Sequence, residues 1–199
     1  MAVEHYLVVR NLMYRSVYNH RINEVCSWML EKLIRTAREL GPNKVWADQQ
    51  MHIWLWRSNE IDLHTFLAND DVRTCYHLLR WQEEAPDPLA QICKNFLNRN
   101  LLKAIDVAHL SNEFQLEALA KARKLVEKKG HDPDQSCTLR HQTVDNYQPY
   151  KRGLRLWDGK QLKALEKVSP LVSGLINPSG AAWLIHPKFI HKDLKEQIR

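Results

Sequence analysis

The chain has 199 residues, 44% of them hydrophobic and 26% charged, with 6 glycines, 8 prolines and 7 tryptophans. A chain of this length buries roughly two-thirds of its unfolded surface, so a core needs neither disulfides nor a structural metal. The composition excludes a collagen-like, low-complexity or disordered protein. A net charge of +6 suits an anionic partner, either nucleic acid or a small ligand such as a nucleotide, without choosing between them.

From 4 to 40 there is no proline or glycine, and Gly41-Pro42 then ends the run. Tyr14, Tyr18, Ile22, Val25, Met29, Leu33, Ala37 and Leu40 step by three or four, which predicts one long helix of roughly ten turns. Glycine followed by proline is a common helix stop. Shorter helices are expected over 44–56, 61–67 and 72–82, the last capped from Asn69-Asp70-Asp71. Asp87-Pro88 offers a cap and a first-turn proline for 89–98. Ser111 caps a helix over 112–129, which Gly130 closes.

Beyond Gly130 the pattern changes. Residues 136–144 alternate and carry β-branched side chains, as a strand does, and Asp158-Gly159 between apolar runs marks a hairpin within 154–165. A strand over 182–190 is interrupted by Pro187, which places it at a sheet edge. The expected fold is mainly α: a helical bundle built on one long N-terminal helix over 1–130, with a small α+β tail over 131–199. The uncharged stretch 168–187 contains Pro170, Gly174, Pro178 and Gly180, so it is not a membrane span. No basic start followed by an apolar stretch marks a leader, and the cysteines (Cys26, Cys75, Cys93, Cys137) form no C-x-x-C pair. The expected compartment is cytoplasmic, with the cysteines as small buried side chains.

Phosphate-loop, dinucleotide-binding, nucleophile-elbow and H-E-x-x-H motifs are missing. His131-Asp132 has the form of a metal-binding dipeptide but lies between Gly130 and Pro133, where a solvated turn is expected; a metal needs three or four convergent ligands. His191-Lys192-Asp193 has the same weakness. The first helix is more informative. At about 100° per residue, Arg10, Tyr14, Tyr18 and Arg21 share one broad face, with His20 on the opposite side from Tyr18. Such a face carries guanidinium forks suited to phosphate and phenols suited to stacking on a sugar.

The stretch Arg10-Asn11-Leu12-Met13-Tyr14-Arg15-Ser16-Val17-Tyr18-Asn19-His20-Arg21 resembles the R-N-x-x-x-R-x-x-Y-x-H-K helix of HD-domain deoxynucleoside triphosphate triphosphohydrolases. The resemblance continues through Ala47-Asp48, Asn69-Asp70-Asp71 and Asn98-Arg99-Asn100-Leu101-Leu102-Lys103, and Tyr147-Gln148-Pro149-Tyr150 and Ser169-Pro170-Leu171-Val172 resemble the bacterial branch. It implies that Arg10 contacts a substrate triphosphate, that Tyr18 touches the deoxyribose, and that His20 and Arg21 lie near a regulatory nucleotide site.

In that family the metal ligands precede the matching helix, whereas here only Met1-Ala2-Val3 and a few further residues do. The expectation is therefore the substrate-side and assembly half of a dNTP phosphohydrolase, without catalytic residues or metal ligands of its own and inactive alone. The complete enzyme would use Mg or Mn to activate water, with Arg10 offsetting phosphate charge. Its partners would be a deoxynucleotide and the missing HD half or a second copy, and no membrane. The alternative is a non-catalytic interaction or oligomerisation module. A third, less favoured reading is nucleic-acid binding through Lys121, Lys124, Lys128, Lys129, Lys151, Arg152 and Arg155.

Overall fold

A computed structural model describes residues 2–144, 154–157, 159–176 and 179–198. In chain order they form α1 (Ala2–Met13), a π-helical turn (Tyr14–Tyr18), α2 (Arg21–Leu40), α3 (Gln49–Trp56), α4 (Leu63–Ala68), α5 (Asp71–Glu84), α6 (Leu89–Leu97), β1 (Lys103–Asp106) and α7 (Asn112–Lys128). Then come β2 (Thr138–Val144), β3 (Arg155–Trp157), β4 (Leu162–Ala164), α8 (Leu165–Val168), α9 (Pro170–Gly174), β5 (Ser179–His186) and α10 (His191–Ile198). The fold is mainly α with a small sheet. Tyr147-Gln148-Pro149-Tyr150, Lys151, Arg152 and Asp158 lie outside the described residues.

The chain divides into two compact units, one of Met1–Glu24 with Lys103–Arg199 and the other of Val25–Leu102. The antiparallel pairing of β1 with β5 binds the middle of the chain to its end. Four residues of strand are too short a run to show a strand period.

In the first unit β5 lies between β1 and β2 in the three-stranded sheet. This corrects the edge-strand expectation: β5 ends at His186, so Pro187 falls just past the ladder and removes no hydrogen bond from it. Leu184 and Ala182 of β5 meet Ala118, Ala122 and Val126 of α7 and Leu194 of α10 in one apolar cluster. Ser111 caps α7 by accepting the Phe114 N–H, and Gly130 beyond its end has φ 77°, a conformation glycine adopts without strain. Strands β3 and β4 pair antiparallel, as the hairpin signal predicts. Helix α1 buries Leu7 against Leu165 and Val172.

The single long helix is also corrected. The Asn19 N–H donates to the Tyr14 carbonyl at 2.8 Å, a five-residue π bond, and the chain leaves helical geometry at Asn19 and His20 before α2 begins. The Asn23 side chain donates to the Val17 carbonyl at 2.6 Å, reinforcing the long 3.4 Å bond that this carbonyl accepts from the His20 N–H. Of the predicted apolar stripe, Val25, Met29, Leu33 and Ala37 are buried, while Tyr14, Tyr18 and Ile22 before or beside the break stay exposed.

The second unit packs Leu33, Ala37, Met51, Leu55, Leu78, Trp81, Leu89 and Cys93 into its core. Helix α3 starts at Gln49 rather than at 44, because Asp48 is its cap, accepting the Met51 N–H at 2.9 Å. Asp62 and Asp70 cap α4 and α5 in the same way. Cys93 and Cys137 are buried and Cys26 partly so, as expected, while Cys75 is exposed. Burial pushes the Cys93 thiol up to about 12 and that of Cys137 up to about 11, which leaves both inert as nucleophiles.

Candidate functional site

The π turn decides how the predicted site residues meet. The Arg10 guanidinium carbon stands 4.8 Å from the centroid of the Tyr14 ring, and the Tyr14 and Tyr18 rings are 5.1 Å apart at 46°. One cation and two phenols thus form a continuous ladder along α1 and the turn. Both tyrosines are exposed and Arg10 is half-buried, with no carboxylate partner for Arg10 among the described residues. A guanidinium over an aromatic face can still offer N–H donors to an incoming oxyanion.

Arg21 does not join this ladder by continuing the same helix, since the break separates them. The same break removes the geometric basis for setting His20 opposite Tyr18: His20 is exposed and its Nδ1 accepts the Ile22 N–H at 3.3 Å, so it works as a local cap for α2. The break is tied to the sheet by Gln142, whose amide donates to Asn19 Oδ1 at 2.6 Å.

A second polar cluster, missed by the sequence reading, lies in the unit of residues 25–102. His77 is fully buried. Its Nδ1 can only donate to the Arg73 carbonyl, 2.8 Å away, so Nε2 carries the lone pair that accepts the Asp48 N–H at 3.2 Å. Burial holds its pKa below the ordinary histidine value, consistent with this neutral form. Arg73 pairs with the Asp48 carboxylate. Trp46 stacks on His77 at 5.0 Å and lies 3.6 Å under the Arg80 guanidinium, which itself forks onto Glu84. A pocket of about 330 Å³ opens beside the pair, lined by Asp48, Ala68, Asp70, Val72, Arg73 and Tyr76. Every charged group inside the cluster is already matched, so its chemistry is that of a structural clamp. Of its residues the sequence marks only Asp70, within the cap of α5; Asp48 falls inside the helix expected over 44–56, and the long-range partner His77 carries no signal.

His131 is exposed and rests against Phe189 at 5.0 Å, while Asp132 accepts the Asp134 N–H and caps a 3-10 turn. Asp193 reaches Lys129 at 3.7 Å. Among the described residues no group of three or more His, Cys, Asp or Glu side chains could hold a metal ion. They therefore offer no complete ligand set for the divalent metal that the family resemblance implies. Of the cations set out for nucleic acid, Lys121 pairs with Glu117 at 2.9 Å and Lys129 with Asp193. No helix among the described residues is long and apolar enough to cross a membrane.

Comparison with known proteins gives the class of fold. No family model matches the chain. Its fold is similar to that of a phosphohydrolase from Bacteroides thetaiotaomicron VPI-5482, with a TM-score of 0.75 and 19% identity over 94% of this chain and 50% of that one. A hypothetical protein from Aquifex aeolicus matches with a TM-score of 0.64 and 16% identity, over 100% of this chain and 45% of that one. This is a phosphohydrolase-like fold. In sequence the chain is 26% identical over 205 residues to the uncharacterized protein YwfO of Bacillus subtilis (strain 168), covering 97% of this chain and 45% of YwfO. The chain spans about half the length of each of these three proteins.

Proposed function

We propose that this chain is the substrate-side half of an HD-superfamily phosphohydrolase acting on deoxynucleoside triphosphates. The observation that carries the proposal is Arg10, without a carboxylate partner among the described residues, set over Tyr14 and followed by Tyr18, on a fold shared with half of a phosphohydrolase. Arg10 would take the phosphates through its N–H donors, Tyr14 would fix the guanidinium plane, and Tyr18 would lie along the sugar. His20 and Arg21, past the break, would serve a separate regulatory nucleotide face. The divalent metal would be held outside the residues described, so the chain alone is expected to bind nucleotide without hydrolysing it.

Calorimetric titration with a panel of dNTPs, alongside a hydrolysis assay with Mg²⁺ and Mn²⁺, tests this. Binding that Arg10→Ala weakens by about tenfold or more, the loss of a charge-assisted pair of hydrogen bonds, is the expected result. Binding indifferent to Arg10, or metal-dependent hydrolysis by the pure chain, overturns it.

A second reading, an interaction or oligomerisation module, is favoured by a different observation. Tyr6, Leu12, Met13 and Val17 along α1 and the π turn are all exposed, Tyr6 at 63%. A run of apolar side chains without cover marks an interface. The two readings are compatible, because the half that completes the enzyme is itself a partner. A strict monomer in light scattering, with no change on adding candidate halves, would count against it.

A further inference from the structure

Among the described residues, the end of the sheet in the first unit collects cations without matching carboxylates. His186 closes β5 fully buried, and its partner in the β1–β5 register is Lys103. Paired residues of neighbouring antiparallel strands project to the same face, so Lys103 stands beside His186. His191 opens α10 and stacks on His186, ring centroids 5.1 Å apart at 14°. Lys195, four residues on, lies about 40° round α10 from His191, over the same face.

The hydrogen bonds fix the protons of the pair. His186 Nδ1 faces the Pro187 carbonyl at 2.9 Å and must donate to it. His186 Nε2 is then the acceptor for His191 Nδ1–H at 3.2 Å. His191 Nε2 is left outside this chain of bonds. It can gain a proton without breaking anything, whereas a proton on His186 Nε2 would cost the bond between the rings.

The charges facing the pair are of one sign. Burial, then Lys195, Lys103 and Arg21, depress His191 below the ordinary histidine range. Burial chiefly, with His191 and Lys103 adding to it, takes His186 down to about 4. The carboxylates of the same elements are engaged or turned away. Asp193 reaches Lys129, Glu24 reaches Arg140, Asp106 accepts the Ala108 N–H, and Glu196 sits about 140° round α10 from His191. Arg21, Lys103 and Lys195 have no carboxylate partner among the described residues.

We propose that Lys103, Lys195 and His191, with Arg21 beside them, form a proton-linked binding site for a phosphate-class oxyanion. The anion supplies the charge that the cluster lacks, and the Nε2 position of His191 becomes a third donor when protonated. Binding and protonation are reciprocal, so each strengthens the other. The site goes beyond the Arg10 ladder and shares only Arg21 with the nucleotide face proposed above.

The test follows histidine imidazole resonances of the full chain during titration with sulfate, whose charge is constant between about pH 6 and 8. The His191 resonances are expected to move, and affinity to rise as the pH falls, by at most about tenfold per pH unit for one proton taken up. Lys103→Gln and Lys195→Gln are exposed changes expected to weaken binding by at least about threefold each while leaving the melting temperature in place. Arg10→Ala is expected to leave it untouched, which separates this site from the one proposed for substrate. Parallel titrations with tripolyphosphate and dATP identify the source. Equal affinities support a site that takes phosphate alone, and tighter dATP binding at His191 supports one that takes a nucleotide. An unmoved His191, or binding unchanged in the Lys103→Gln, Lys195→Gln double variant, overturns the proposal.

Discussion

The Asp48 backbone N–H donates to His77 Nε2 at 3.2 Å, joining residues that are 29 positions apart. The same Asp48 caps α3 with its side chain and pairs with Arg73, so one residue fixes the start of α3 against the face of α5. Replacing His77 with Ala leaves the Asp48 N–H and the Arg73 carbonyl short of partners and opens a cavity. The expected cost is about 2–4 kcal/mol in urea unfolding. Because burial lowers the folded pKa of His77, its contribution is present above the unfolded value near 6.5 and declines as the pH falls below it. His77→Gln is expected to flatten that acid dependence, measured as the urea midpoint between about pH 7 and 5.

His186 is expected to show the same sign more strongly. Its folded pKa of about 4 lies below the unfolded one, so the unfolded chain takes up the proton first as the pH drops. Stability on the order of 3 kcal/mol is present above about pH 6.5 and is lost progressively down to about pH 4. Thermal melts across that window, compared with His186→Gln, check it; parallel curves for the two proteins would refute the assignment.

Tyr14 is predicted to matter to ligand binding without touching the phosphates. Removing the ring beneath Arg10 in Tyr14→Ala leaves the cation but frees its plane. The expected loss of dNTP affinity is about two- to fivefold, the worth of an exposed cation–π contact, and smaller than that of Arg10→Ala. Calorimetry on both variants decides the order.

The break at Asn19 and His20 makes a prediction about local stability. Asn23→Ala removes the donor to the Val17 carbonyl and is expected to raise amide exchange between His20 and Glu24 by several-fold. Exchange in α7, packed within the sheet core, is expected to stay as it was.

Trp81 is fully buried and its Nε1–H donates to the Trp46 carbonyl at 2.6 Å. Trp81→Phe keeps an aromatic ring but orphans that carbonyl and leaves a void. A loss of about 2–3 kcal/mol is expected in denaturant unfolding, with the wild-type m-value retained.

The mainly α character, the stops of α2 and α7, the Asp70 cap of α5 and the hairpin of β3 with β4 are legible in the sequence, whereas the expected Asp87 cap is not formed, α6 starting from Pro88 without a side-chain bond. Each of the legible features rests on local chemistry: apolar spacing at helix period, a side-chain oxygen meeting free N–H groups, a glycine past a helix end. The sequence also put Arg10, Tyr14 and Tyr18 on one face, because four-residue steps survive a π turn that widens only the last of them. Tertiary structure alone decided the rest. The break after Tyr18 is stabilised by the Asn23 amide and by Gln142, which is 123 positions from Asn19, and no window of sequence contains that partner. β5 became the middle strand because β1 and β2 add to both its edges, a choice made by ladder hydrogen bonds and by the apolar face presented to α7. His77 with Asp48, and His186 with Lys103, were equally invisible. A histidine shows no helical or strand period of its own, and only burial beside a distant partner sets its protons and its charge.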